Sequence, residues 1–219
     1  MASNNPLQDF FPRLKAHLLR RVLGRPFTGE DDSFTDQEMD SLVIIGNHLY
    51  RHKVLRVNYT TYDGRRRQDS LNPRNHADFM TLSHETDATN PHPFWYARII
   101  GIFHVRVRYL QPGRYAPEIQ HIPFLYVRWF GRDTSFPSGF SHKRYPRIGF
   151  DDPEYAFTFL DPDQVIRGVH LIPGFNYDKS SAALGPSLAR LPSDKDQDWL
   201  YFYVNMWVFL LSFTSSPRH

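Results

Sequence analysis

Two long stretches of the chain alternate apolar and polar residues with a period of two. In Phe94-Trp-Tyr-Ala-Arg-Ile-Ile-Gly-Ile-Phe-His-Val-Arg-Val-Arg-Tyr-Leu110, the odd positions Trp95, Ala97, Ile99, Phe103, Val105, Val107 and Tyr109 are apolar, while Arg98, His104, Arg106 and Arg108 are even. Successive strand side chains point to opposite faces, so this spacing predicts a strand with one buried face and one basic face. Phe124-Leu-Tyr-Val-Arg-Trp-Phe130 alternates the same way within a predicted strand Ile119–Phe130, and Pro112-Gly113 turns the first strand back towards it. Val54–Tyr62 carries Leu55, Val57 and Tyr59 against Arg56 and Asn58, and Asp63-Gly64 supplies a tight turn after it. Leu42–Ile45, Phe79–Leu82 and Val165–Ile172 are further predicted strands. The run Trp199–Leu211 predicts a buried strand or strand pair; Asn205 interrupts it, and it is shorter than the roughly 20 apolar residues that span a bilayer.

A different period governs the N-terminal part. Leu14, Leu18 and Val22 recur at four-residue spacing with Phe11 and Leu19 beside them, which predicts an amphipathic helix over 7–23, stopped by Gly24 and Pro26. The acidic stretch 28–40 reads as a loop or a short helix opened by Thr35, with Glu38 three residues later in a capping-box pattern. The predicted organisation is an N-terminal helix over 1–26, an acidic connector over 27–41, a single β-rich barrel domain over 42–213 and a tail over 214–219. The fold class is mainly β (a β-rich α+β chain): a small β-barrel with long loops and an N-terminal amphipathic helix.

Composition agrees with sheet and ordered loops: 16% of the 219 residues are aromatic, with 17 Pro and 12 Gly. There is no cysteine, which excludes disulfides, thiolate metal sites and cysteine nucleophiles. The N-terminus, Met-Ala-Ser-Asn-Asn, lacks the apolar segment of a secretory signal. Net charge is only +3, yet it is placed in blocks. Arg13, Lys15, Arg20, Arg21 and Arg25 face Asp9; Glu30, Asp31, Asp32, Asp36, Glu38 and Asp40 follow without a base. Arg51, Lys53, Arg56, Arg65, Arg66, Arg67 and Arg74 then face only Asp63 and Asp69. Such blocks mark either an interaction surface or mutually neutralising solvated faces.

Catalytic signatures are scarce. There is no Walker loop, no Gly-x-Gly-x-x-Gly and no Gly-x-Ser-x-Gly. Ser135, Ser138, His142 and Asp133 are too crowded in sequence for a hydrolase triad, whose members come from separate elements. His104, His121 and His170 sit singly on predicted strands or strand edges, so a three-histidine zinc site is geometrically possible. Asp151, Asp152, Glu154, Asp161 and Asp163 surround prolines and offer oxygens to calcium, but without EF-hand spacing, and turn formation explains them as well. Binding features are clearer. Arg65, Arg66 and Arg67 sit at a hairpin tip, where guanidiniums reach phosphates. Tyr96, Tyr126 and Phe130 share a strand face with Arg98 and Arg128 and are the expected exposed members of an aromatic cage for a cation.

Several segments resemble a domain of proteins from mushroom-forming fungi, associated with transposons of the Plavaka and KDZ kind. They are Val57-Asn-Tyr-Thr-Thr-Tyr-Asp63, Gln68-Asp-Ser-Leu-Asn-Pro-Arg74, His92–His104, Val127-Arg-Trp-Phe-Gly-Arg-Asp133, Phe159–Pro173 and Trp199–Asn205. The resemblance implies an interaction module with the transposase chemistry upstream, and so no catalytic residues and no cofactor. It also implies a charged, glycine-rich continuation after Asn205, where this chain reads Met206-Trp-Val-Phe-Leu-Leu-Ser-Phe-Thr. At the level of fold, Ala97-Arg-Ile99 and Tyr126-Val-Arg-Trp-Phe130 are similar to strands of bromo-adjacent homology domains, small β-barrel modules of chromatin.

These observations give the expectation of a non-catalytic module of transposon origin, intracellular and nuclear. It would bind chromatin protein or DNA, and no membrane, through Arg65, Arg66, Arg67, Arg98, Arg106, Arg108 and Arg128. Two other readings stay open: a metal-dependent β-barrel enzyme using His104, His121 and His170, or a decayed transposon fragment without selected function.

Overall fold

A computed structural model describes residues 9–25, 34–61, 64–84, 92–110, 118–138, 142–151, 156–181, 184, 189–190 and 195–205. The Pro112-Gly113 turn, Asp152, Glu154, the remainder of the last apolar run and the 214–219 tail lie outside the described residues. Helix α1 (Phe10–Val22) ends as its glycine predicts. Gly24 takes φ +66°, its N–H bonds to the Arg21 carbonyl, and the Arg25 N–H reaches back to Arg20. That pair of bonds is a Schellman cap, which needs the left-handed residue glycine tolerates best. Helix α2 (Asp36–Ser41) opens on the Thr35–Glu38 capping box. Leu14, Leu18 and Leu19 are buried, but Phe11 is exposed and Phe10 packs instead, against Tyr126 and Phe159. Among the described residues no helix is long and apolar enough to cross a membrane.

The strands are β1 (Leu42–Ile44), β2 (Tyr50–His52), β3 (Leu55–Thr60), β4 (Arg66–Leu71), β5 (Asp78–Leu82), β6 (Phe94–Tyr109) and β7 (Ile119–Arg132). They continue with β8 (Arg147–Phe150), β9 (Phe157–Leu160), β10 (Arg167–Gly168), β11 (Leu171–Pro173), β12 (Lys179–Ser180), β13 (Asp198–Trp199) and β14 (Phe202–Val204). β6 and β7 form the long antiparallel centre of the main sheet. β5, β2 and β1 pair in turn along the outer edge of β6, and β8 and β9 along that of β7. β3 and β4 make a separate hairpin.

The expected single strand Val165–Ile172 is instead two short strands with different partners. β10 pairs with β5 and β11 with β14, so the two ends of the sheet order are neighbours in the chain. Val169 N–H bonds to the Asp78 carbonyl, while the His170 carbonyl accepts from Asn205. The sheet is thereby curled around Met80, Tyr96, Phe130, Ile148, Val169, Leu171, Phe202 and Val204 without becoming the closed barrel anticipated from sequence. The mainly β class with an N-terminal helix stands.

Three apolar clusters divide the two faces of the β6–β7 pair. On one face lie the curled cluster and a second one, where α1 covers Val105, Val107, Phe124, Phe157 and Phe159. On the opposite face Val57 and Leu71 of the hairpin seal Phe79, Ala97, Ile99, Ile102, Leu125 and Val127. Beyond the hairpin, this second face leaves Tyr50, His52, Arg108 and His121 exposed among the described residues, over β2 and the distal ends of β6 and β7.

Candidate polyanion-binding surface

The single basic face predicted for β6 is split by a bulge. Ile99 pairs with Val127 and Gly101 with Tyr126, so Ile100 is an extra residue on β6. An added residue in a period-two element exchanges the faces of everything beyond it. Ala97 and Ile99 therefore share a face with Ile102, His104, Arg106 and Arg108, while Arg98 shares the other with Phe103, Val105 and Val107.

This placement accounts for the fate of each anticipated residue. Arg98 points into the curled cluster, held by Asp78 through Nε at 2.7 Å and Nη2 at 3.0 Å, with its guanidinium carbon 5.1 Å from the Phe150 ring centre. Arg128, beside it across the ladder, is 1% exposed and lies 3.6 Å over Phe150. Its Nη1 meets Asp198 Oδ2 at 2.9 Å. Both arginines are structural here, paired with carboxylates and covered by rings. Tyr96, Tyr126 and Phe130 are also buried, which corrects the expectation that they form an exposed cage. Burial pushes the Tyr126 hydroxyl up to about 12 and that of Tyr96 up as well. Arg106 is half-buried on the open face and Arg108 is exposed there.

The hairpin carries exposed positive charge at Arg56, Arg65, Arg66 and Arg67. Thr61 N–H bonds to the Arg65 carbonyl, Gly64 N–H bonds to Thr61, and Gly64 adopts φ +75°, which closes the tip. The register sets Arg56 opposite Ser70, Asn58 opposite Gln68 and Thr60 opposite Arg66, all six exposed on the outward side. Gln68 Nε2 donates to Asn58 Oδ1 at 2.8 Å across this side. Arg67 lies opposite Tyr59 on the inward side and is itself exposed at its rim, so the Arg65–Arg67 run is divided between both sides.

Asp69, the described carboxylate of the hairpin, is engaged inward. It accepts from Gly168 N–H at 3.0 Å and lies 3.6 Å from Arg167 Nε, whose guanidinium also covers the Tyr59 ring. Arg51, Lys53, Arg56, Arg66, Arg67 and Arg74 are all exposed. Among the described residues, none of these six takes part in a salt bridge.

Lys53 and Val54 link the hairpin to β2 and the exposed face. There Tyr50 stacks on His104 with ring centres 4.7 Å apart and planes 8° apart. His52 Nε2 and His104 Nδ1 lie 2.7 Å apart, and the His121 ring is 6.0 Å from that of His104. Partial burial, then His52, His121 and Arg106, hold His104 below its ordinary range, so it presents a neutral ring at pH 7. His170 does not join this group. It follows Val169, which is bonded to Asp78 opposite Arg98, and His104 is six residues along β6 from Arg98, about 20 Å at strand rise. Among the described residues no group of three potential ligands is arranged to hold a metal ion.

Ser135, Asp133 and His142 serve the turn after β7. Asp133 accepts from the Ser135 hydroxyl at 2.6 Å and from Arg147 Nε at 2.8 Å, and His142 Nδ1 lies 3.2 Å from the Ser138 carbonyl. The sequence marks the block Arg51–Arg74 as charge, but only its tip carries a local site signal. Tyr50 and His52 carry no such signal, because a three-residue strand has no room for a period. No family model, no curated protein and no solved structure matches the chain.

Proposed function

We propose that this chain is a non-catalytic interaction module of transposon origin that binds DNA or an acidic chromatin protein through the outward side of its hairpin. The observation that carries the reading is the exposed set Arg51, Lys53, Arg56, Arg66 and Arg74, with Arg67 exposed at the rim of the inward side, around a hairpin whose described carboxylate, Asp69, is turned inward to Arg167 and Gly168. Guanidiniums without carboxylate partners gain most from phosphate oxygens, and releasing condensed counterions drives such binding. Arginines at the tip and on the outward side of this two-stranded hairpin are placed to reach phosphate oxygens, and backbone contact of that kind is tolerant of sequence. The sequence resemblance to the transposon-associated domain supports the same assignment.

The test is binding to a labelled random duplex across a salt series. The expected result is a linear fall of log K with log salt, at about 0.9 per phosphate contact. Arg65→Ala, Arg66→Ala and Arg67→Ala combined should lower that slope. No binding at low salt would move the target to protein, with histone peptides as the next ligand. An unchanged slope in the triple variant would remove the hairpin from the site.

A further inference from the structure

We infer that the exposed face of β2, β6 and β7 is a platform for unpaired nucleotides, on which a base stacks against His121 while Arg106 and Arg108 hold the backbone. This rests on the nucleic-acid reading above and extends it from duplex phosphates to single strands.

The argument begins from what the strands carry. β1, β2, β6 and β7 contain no Asp or Glu. On the open side the register brings together Tyr50, His52, His104, Arg106, Arg108 and His121. The rings of Tyr50, His104 and His121 form a row across three strands, with interplanar angles of 8° and 28° between successive members. The row ends on His121, which is exposed and lies on the part of β7 that no described strand pairs with beyond β6. A planar base extends such a row by lying on its last ring, and aromatic platforms on sheets bind single strands in this way with little regard to sequence.

The charge on the platform fits that occupant. Arg106 sits 5.7 Å from the Tyr50 ring, and Arg108 is exposed one period further along β6. Among the described residues neither takes part in a salt bridge. Val43 and Ile119, exposed on either side of Arg108, give the flanking apolar contacts that a sugar and base need but a bare polyanion does not. A duplex hides its base faces, so the platform and the hairpin favour different states of the same polymer.

The experiment compares a short oligothymidylate with an abasic deoxyribose-phosphate oligomer of equal length, by fluorescence anisotropy on the full chain. Stacking of even one base makes the thymidylate at least about fivefold tighter. His121→Ala should erase that difference, and His121→Phe should retain it. Equal affinities for the two oligomers in the wild type would overturn the platform while leaving the phosphate-binding hairpin intact. Weak binding of both oligomers alongside tight duplex binding would overturn it equally. Failure of all three ligands would overturn the nucleic-acid reading itself. A retained difference in His121→Ala, with thermal unfolding unchanged, would exclude His121 as the stacking ring.

Discussion

Asp198 Oδ2 receives Arg128 Nη1 and Arg190 Nη2, each at 2.9 Å, and all three side chains are buried. One carboxylate thus serves two guanidiniums, and desolvation works against the charge on Arg128 while Asp198 supports it. Removing the shared anion leaves two cations in the interior, the circumstance in which breaking a buried pair is most costly. Asp198→Asn should therefore lower stability by about 3–5 kcal/mol in chemical denaturation. Asp40→Asn, which loses only an exposed partner 3.7 Å from Lys15, should change it by less than about 1 kcal/mol. His17 gives a second prediction at this scale. Arg20 Nη2 lies 3.1 Å from its Nδ1, an arrangement that uses the imidazole lone pair. Burial first, then Arg20 and Arg21, push its pKa down from 6.5 to about 3. The native state keeps His17 neutral and the unfolded chain protonates it, so its contribution is complete above pH 6.5 and is lost as pH falls towards 3. The loss runs at about 1.4 kcal/mol per pH unit within that window. His17→Gln keeps an acceptor for Arg20 without a titrating group. Its stability relative to wild type should rise steadily as the pH is lowered from 6.5 to 5; a constant difference would show that His17 does not titrate on unfolding.

At the scale of elements, the strand β6 shows what a sequence discloses and what it conceals. Its existence and length are legible in its long run of alternating residues, as are those of β3 and β7, whereas β5 buries Phe79, Met80 and Thr81 in succession and shows no such period. The bulge was concealed because Ile99-Ile100-Gly101 is apolar enough to continue either phase. The odd-numbered apolar set therefore reads as one side when it occupies both, and Arg98 reads together with Arg106 although they face opposite ways. Short strands such as β2, β10 and β14 carry too few residues to show a period, and their positions depend on partners remote in sequence. The hairpin tip was legible for the opposite reason, since Gly64 followed by a basic run is a local signal. Gly101 tests how tightly the bulge is packed. A Cβ there would stand 2.6 Å from Phe103 Cζ, and that ring is stacked on Phe124 with centres 5.4 Å apart. Gly101→Val should cost about 1–3 kcal/mol through overpacking. Combining it with Phe103→Leu should recover part of that loss, which a double-mutant cycle would read as coupling between the two positions.

Across the whole molecule the arginines fall into two populations that a net charge of +3 does not reveal. Arg98, Arg128, Arg147, Arg167 and Arg190 are folded against carboxylates, most of them also over aromatic rings, where they tie remote segments together. Arg147 is the fullest case, with Asp133 at 2.5 Å from Nη2, Tyr177 at 2.5 Å from Nη1, and its guanidinium carbon 4.1 Å from Phe136 and 4.5 Å from Tyr201. Arg51, Arg56, Arg66, Arg67 and Arg74 stand on the surface instead; hairpin packing through Val57 and Leu71 holds Arg56, Arg66 and Arg67 there without drawing on their charge, and pairing of β2 with β6 holds Arg51. The two populations should respond oppositely to substitution. Arg147→Ala removes a hydrogen-bonded, ring-covered charge and leaves Asp133 without it, so stability should fall by about 2–4 kcal/mol, while the salt dependence of duplex binding in the surviving folded fraction stays as in wild type. Arg56→Ala, Arg66→Ala and Arg67→Ala combined should alter stability by no more than about 0.5 kcal/mol per site, yet lower the slope of log K against log salt by up to about 0.9 for each phosphate contact removed. Denaturation and salt titrations on these two variants separate the roles, because one that lost both properties together would place its arginines in a single structural class.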